Sequence, residues 1–406
     1  MKIKALGLGL AISLLSGGAY ADCNFDNTVP ISSLSAGFEA WKSVTDAMAE
    51  CGNFEAELDQ EFRTKQPAAF AANPSLYDIG GVSNGTITPL INEGTIRPLD
   101  DLIAAHAPDL PENLKIKIDG QTMAIAMMIN TQHMMYRKDV LDDLGLDAPT
   151  TWAEVLEVSA AIQEAGVVDY PLGATMKSGW NIAQEFVNMY AGFGGGFYDD
   201  DSNPTVNNAA GIEALEMMKA LTAYMDPEYL VSDSTYVQQQ FQQGKIAMAN
   251  LWASRGGAMD DEAESQVVGK VYAAAAPYAA EGNAPATTMW WDGMVIAKNI
   301  SDEEAEAAIK LIAEGLDTEM VTAANDDAIW LIDGYKPNRL AEGAIQTFSA
   351  SPAPASYPST SQMGLMHTAL GNELPAFFTG ERDAAATLAA VEAAYITSAK
   401  EAGILN

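Results

Sequence analysis

A chain of 406 residues, 48% of them apolar, has material for two or three domains with large buried cores, and two large lobes are expected. Its 55 acidic and 21 basic residues leave a formal net charge of −34, which argues against nucleic acid and anionic membrane as partners. A field favouring cationic ligands and a solvated surface suited to saline surroundings both fit this charge; screening within about 8 Å at physiological salt favours the second.

Residues 1–21 carry Lys2 and Lys4, an apolar run over 5–15 and a small-x-small site, Ala19-Tyr20-Ala21, the pattern of a cleaved export signal. The apolar run is shorter than the roughly 20 residues a spanning helix needs, and no later stretch is long enough, so stable membrane insertion is not expected. The mature protein is therefore expected in the periplasm. In that oxidising compartment the two cysteines, Cys23 and Cys51, are most simply a disulfide.

Residues 28–35 read as a first strand, followed by a helix with Trp41, Val44 and Met48 on one face. A second strand over 53–58 and a helix over 60–72, ended by Asn73-Pro74, lead to a strand over 77–82 and a helix-like TPLINEG. Strands alternating with helices predict a mostly parallel sheet, whose ligands lie beyond the strands' carboxyl ends; residues 35–39 and 83–86 are then rim loops.

The centre of the chain is 119–154. An Asp119-Gly120 turn opens the buried strand MAIAMMI, polar residues follow, and a helix-like segment closes near Gly145. Thr151 and Glu154 have capping-box spacing, so a new helix starts there. One core gives way to another across this block, with 130–133 as hinge and cleft.

Beyond it the pattern predicts a helix over 154–165, a strand over 170–174, and a helix over 181–191. The loop 192–204 contains DDDSN, which lacks EF-hand spacing and reads better as a solvated acidic turn than as a calcium site. Helices over 208–225 and 236–244, strands over 246–250 and 270–277, and a strand over 293–297 preceded by Trp290, Trp291 and Asp292 come next. Ser301 and Glu304 form a second capping-box pattern at a helix over 301–316, and helical segments fill 363–402 after a Pro- and Ser-rich loop.

No spacing commits to catalysis or to a cofactor. His106, His133 and His367 stand apart without HExxH, and both GxSxG and a phosphate-binding loop are missing. Carboxylates are numerous enough to leave a glycosidase pair open, but abundance is not a pattern. Aromatic residues at strand ends are the stronger hint: Trp180, Trp252 and the neighbours Trp290 and Trp291 stand where a ring stacks on a ligand's apolar face, Trp291 being favoured of the two, whereas Trp41 and Trp330 read as core.

The blocks YDIGGVSN, INEGTIRPLDDL, DGQTMAIAMMINTQHMMYRKDVLDDLGLDAPTTWAEV, FQQGKIAMANLWA and TMWWDGMVIAKN, in this order, resemble the extracellular solute-binding proteins of ABC importers. The likeness is to the carbohydrate-type class that includes maltose- and glucose-binding proteins. This chain departs from the pattern in lacking a proline in MAIAM and in having Arg137 for asparagine; Asn130 stands where maltose-binding relatives carry an acid. The resemblance implies an α/β, two-lobed periplasmic binding protein fold, each lobe a mostly parallel sheet flanked by helices, with three hinge crossings near Ile129, Tyr278 and Lys336. The first lobe would comprise 22–129 plus 279–336 and the second 130–278 plus 337–406.

The implied ligand-binding residues are Glu39 at the first strand's exit, Asn84 in a rim loop, Asn130, the stacking residues Trp180 and Trp252, and Asp292 beside Trp291. His367 is an implied donor, while Arg339, with Lys336, would bind an anionic group or support the hinge. The implied function is that of a monomeric, non-enzymatic receptor that carries a sugar or polyol to a membrane permease, with no cofactor or metal. A non-carbohydrate solute, polyamine or small organic acid, and an exported glycan-active enzyme stay open as alternatives.

Overall fold

The structure, a computed structural model, describes residues 23–280 and 282–405; the expected export signal lies outside the described residues. Eleven strands are described: β1 (Asn27–Ser35), β2 (Gly52–Leu58), β3 (Ile79–Ser83), β4 (Lys115–Ile118), β5 (Gln121–Asn130), β6 (Gln132–Arg137), β7 (Tyr170–Ala174), β8 (Ile246–Trp252), β9 (Val271–Ala274), β10 (Trp290–Ile296) and β11 (Ile329–Trp330). They form two sheets. The first runs β11-β5-β10-β3-β1-β2 with β4 also paired to β5, and the second runs β7-β8-β6-β9.

The interior position of β5, paired with β4, β10 and β11, follows from its sequence. Residues 124–128 are fully buried, as an uninterrupted apolar run requires when both faces of a strand are covered. On the outer face of the first sheet, helix Glu39–Glu50 buries Trp41, Val44 and Met48, the stripe set by helical spacing. Trp330 is also core, at 4% exposure. The chain leaves the first sheet after Asn130 and enters the second at Gln132, returns between Ala274 and Trp290, and crosses again after Trp330.

The sheets are not mostly parallel, contrary to the sequence reading. Only β1 with β2, β1 with β3, and β7 with β8 are parallel pairs. The reason lies in the crossings: β10 returns from the second sheet, starts at the end where β3 and β5 finish, and runs antiparallel to both. Likewise β6 enters the second sheet from that end and runs antiparallel to β8. A further difference is that Trp290, Trp291 and Asp292 lie within β10 rather than before it.

Helix boundaries follow local chemistry closely. Thr151 and Glu154 form the reciprocal capping box of helix Trp152–Ala165, and Ser301 and Glu304 that of helix Asp302–Gly315. Gly145, at φ 67°, closes helix Lys138–Leu144 in the left-handed conformation that glycine adopts without strain. In the acidic loop, the Asp199 carboxylate accepts from the backbone amides of Asp201 and Asn203, which makes it a self-bonded turn. Cys23 and Cys51 are joined as a disulfide, tying the segment before β1 to the residue preceding β2. No helix among the described residues is long and apolar enough to cross a membrane.

Candidate functional site

Between the sheets lies a cavity of about 110 Å³, bounded by the carboxyl ends of β1, β3, β5 and β8 and by the first residues of β10. This is where the ends of parallel strands leave side chains and backbone groups free for a ligand. The first sheet and its connections supply Phe38, Arg63, Asn130, Trp290 and Asp292; the second supplies Lys177, Trp180, Trp252, Ser254 and Arg255.

Three tryptophans form the aromatic wall. The Trp180 and Trp252 rings lie 6.4 Å apart, and the Trp290 ring stands edge-on to both, at 5.8 and 5.7 Å. Each position has a local cause. Trp180 opens helix Trp180–Gly192, Trp252 ends β8, and Trp290 shares one face of β10 with Asp292 because strand side chains alternate. Behind Trp290, a Cβ on Gly85 would come within 2.8 Å of the ring, so glycine is what allows the close approach.

Beside the aromatic wall stand a cation and an anion, Arg63 and Asp292. The Arg63 guanidinium lies 4.3 Å from the Trp180 ring centroid and 5.1 Å from that of Phe62, so it is stacked from both lobes' sides by aromatic groups. Burial pushes Asp292 up to about 7, against the pull of the Arg63 charge and a hydrogen bond from Asn130. Burial also lowers Arg63, against the charges of Asp292 and Glu61. Asn130 donates to Ser254 Oγ at 3.1 Å and so ties the end of β5 to the residues following β8. Arg255 is pulled down to about 10 by burial, which leaves it cationic at neutral pH; it donates to Gln238 and Ser234.

A buried polar chain supports the wall. The Trp290 indole donates to Thr288 Oγ1 at 2.9 Å, and Thr288 donates to Asn188 at 2.8 Å. Asn188 donates to Gln132 at 2.6 Å, and Gln132 to the buried Glu185 at 2.7 Å. Glu185 also accepts from Asn250 and Thr175, without a cation beside it, and burial raises its pKa. Because each donor here is buried, the chain fixes the orientation of side chains from both sides of the 131 and 288 connections.

Comparison with known proteins decides the family. The profile described as bacterial extracellular solute-binding protein matches residues 36–321, most of the chain. This chain belongs to that family. A probable ABC transporter-binding protein of Deinococcus radiodurans is 25% identical over 332 residues, 77% of each protein. Among solved structures, a solute-binding protein of Agrobacterium radiobacter K84 in complex with ribitol has a TM-score of 0.79 at 21% identity, over 93% of this chain and 99% of that one. One from Agrobacterium vitis S4 with bound D-mannitol scores 0.78 at 19% identity, over 92% and 99%. A maltose-bound T. maritima protein scores 0.74 at 19% identity, over 91% and 100%. These likenesses show the two-lobed solute-binding fold.

Within this solute-binding protein, the cavity brings together four of the residues singled out from sequence: Asn130, Trp180, Trp252 and Asp292. The others lie elsewhere. Trp291 points to the opposite face of β10 and packs against the cluster of Phe70, Val82 and Leu90; strand alternation gives its expected place to Trp290. Asn84 is buried behind the rim, its amide donating to the Met289 and Tyr357 carbonyls at 3.1 and 3.2 Å.

His367 also sits behind the wall. Its Nε2 bonds the Trp180 carbonyl at 2.9 Å and its Nδ1 the Tyr357 hydroxyl at 2.8 Å. A carbonyl only accepts, so Nε2 carries the proton and Nδ1 accepts from Tyr357. Burial lowers this imidazole to about 4, and its ring lies 5.0 Å from Trp180. Arg339 is committed to the Val271 carbonyl and to Asp260, at the edge strand of the second sheet. Glu39 is exposed and faces an outer chamber of about 560 Å³ that shares Phe38, Asp233 and Arg255 with the inner cavity.

Sequence reasoning missed Arg63, Ser254 and Arg255, and of the neighbours Trp290 and Trp291 it favoured Trp291. Arg255 and Ser254 follow β8 directly, and that polar cluster at a strand end was the available signal. Arg63 is the second residue of helix Phe62–Ala71, and nothing in its local sequence distinguishes it from a surface helical arginine.

Proposed function

We propose that this protein is the periplasmic receptor of an ABC importer, a monomer that encloses a sugar or polyol between its lobes and hands it to the membrane permease. The observation that carries the reading is the group of Trp180, Trp252 and Trp290 lining one cavity with Arg63 and Asp292. Tryptophan faces cover the C–H surface of a polyhydroxy ligand, while a guanidinium donates to its hydroxyl oxygens and a carboxylate accepts from its hydroxyl hydrogens. Among neighbours of the same fold are proteins described with ribitol, D-mannitol and maltose.

The inner cavity takes a small solute, or one unit of a longer one that extends into the adjoining chamber. A water needs roughly 10–15 Å³ of such space, so a cavity of about 110 Å³ suits about ten non-hydrogen atoms, the scale of a pentitol or monosaccharide. The family's extracellular character and the signal-like residues 1–21 support delivery to the periplasm with cleavage after Ala21. For the moving parts we assign 22–129 plus 279–336 to one lobe and 130–278 plus 337–406 to the other. The hinge positions near Ile129, Tyr278 and Lys336 fall at or next to the segments joining the sheets. We assign ligand contact to Asn130, Trp180, Trp252, Trp290, Asp292 and Arg63, and no catalytic role to any of them.

A thermal-shift screen of pentitols, hexitols, monosaccharides and disaccharides tests this. A ligand at 100 times its dissociation constant stabilises by about 2.7 kcal/mol. Replacement of Trp180 by alanine is expected to abolish that shift for the best ligand. A panel without any polyhydroxy hit, with polyamines or simple amino acids shifting the transition instead, refutes the carbohydrate assignment.

A further inference from the structure

The cavity does not share the strong negative charge of the molecule that contains it. The protein carries −34 overall, yet the lining holds three cations, Arg63, Lys177 and Arg255, against Glu61, Asp233 and Asp292. The three cations and three anions of the lining balance, on a molecule that is otherwise strongly acidic. Lys177 is paired with Asp233 at 3.3 Å, whereas among the described residues Arg255 hydrogen-bonds the neutral Gln238 and Ser234, with the charges of Asp233 and Glu39 nearby.

Arg63 differs from both. Among the described residues its guanidinium makes no hydrogen bond or ion pair, and its Nε is buried without a partner. Trp180 and Phe62 lie against it within 4.3 and 5.1 Å of its central carbon. Contact with ring faces uses none of the five N–H donors, which point outward in the guanidinium plane. Arg63 as a whole is half-buried, so the buried Nε lacks an acceptor while the remaining donors are open to a ligand entering the cavity.

We propose that the solute is a polyhydroxy acid and that Arg63 is the specificity-determining residue that grips its carboxylate. The proposal rests on the polyol-receptor reading above and narrows it. A carboxylate matches the guanidinium edge with two parallel N–H···O bonds and supplies the acceptor that the Arg63 Nε lacks, with a full countercharge that a neutral polyol does not bring. The three tryptophans and Asn130 then hold the hydroxylated carbon chain. Asp292 stands beside Arg63 as the acceptor for the adjoining hydroxyl. Its raised proton affinity lets it tolerate a second carboxylate nearby.

Matched pairs test this with the mature protein: ribonate against ribitol, gluconate against glucitol and galacturonate against galactose, by titration calorimetry. The acid of at least one pair is expected to bind about tenfold or more tighter than its neutral partner, the discrimination a charge-assisted hydrogen bond supplies. Arg63→Gln is expected to weaken both members, the acid far more, so that the ratio falls toward one. Arg63→Lys, which keeps the charge without the fork, is expected to restore part of it.

Neutral partners that bind as tightly as the acids in every pair overturn the inference and leave the polyol-receptor reading standing. An acid preference that survives Arg63→Gln places the carboxylate elsewhere and removes Arg63 from the role. Failure of every acid and every neutral compound to bind overturns both. The wild-type ratios alone decide the solute class even if the variants fold poorly.

Discussion

Asp292 is subject to two effects of opposite sign, burial raising its pKa and Arg63 lowering it, and burial prevails at about 7. An unfolded aspartate titrates near 3.9, so between about pH 4 and 7 the folded state holds more protons than the unfolded one. Stability contributed by this group is therefore complete below pH 4 and is lost as pH rises through about 7, at no more than ~1.4 kcal/mol per unit. Asp292→Asn lacks this dependence. In ligand-free protein, the melting temperature of the wild type minus that of the variant is expected to fall across this window and level off above it; parallel curves would sink the assignment. At this scale the sequence was only half legible. It marked TMWWDG as functional, but the choice of Trp290 over Trp291 depends on where β10 begins, because one residue of shift exchanges the two faces.

At the scale of elements, local chemistry was the best guide. The capping box at Thr151 was readable because its donors and acceptors lie within four residues of one another. Thr151→Ala is expected to destabilise the transition of the unit containing β6 to β9 by about 1 kcal/mol. Urea denaturation followed by the helix signal checks this, and an unchanged midpoint would mean that the neighbouring bond from Trp152 N to the Tyr278 carbonyl fixes the helix start instead. Strand direction was less legible. Hydrophobic pattern identifies a strand but carries no sign for which way it runs, so the antiparallel insertion of β10 escaped a reading built on strand–helix alternation.

For the whole molecule, the disulfide and the net charge act in different ways. The Cys23–Cys51 link closes a loop of 28 residues, which stabilises by about 3 kcal/mol on the chain-entropy argument. The double variant Cys23→Ser, Cys51→Ser is expected to lose about that much in thermal unfolding while keeping its solute affinity, since neither cysteine lines the cavity. A large loss of affinity with the fold intact would show that the amino-terminal segment communicates with the cleft. The acidic surface, by contrast, is screened, and it did not foretell a cavity whose cations and anions balance.

What the sequence by itself determined was everything that depends on neighbours along the chain or on ordered blocks: the helices with their caps, most strands, the disulfide as the simplest pairing and the family resemblance. The tertiary structure alone decided the site's composition. Arg63, Asn130, Trp180, Trp252 and Asp292 come from five separate segments and meet only because the chain crosses between the sheets. Burial and charge at that meeting point, which set the behaviour of Asp292 and leave Arg63 without a partner, are properties of the packed molecule rather than of any one stretch.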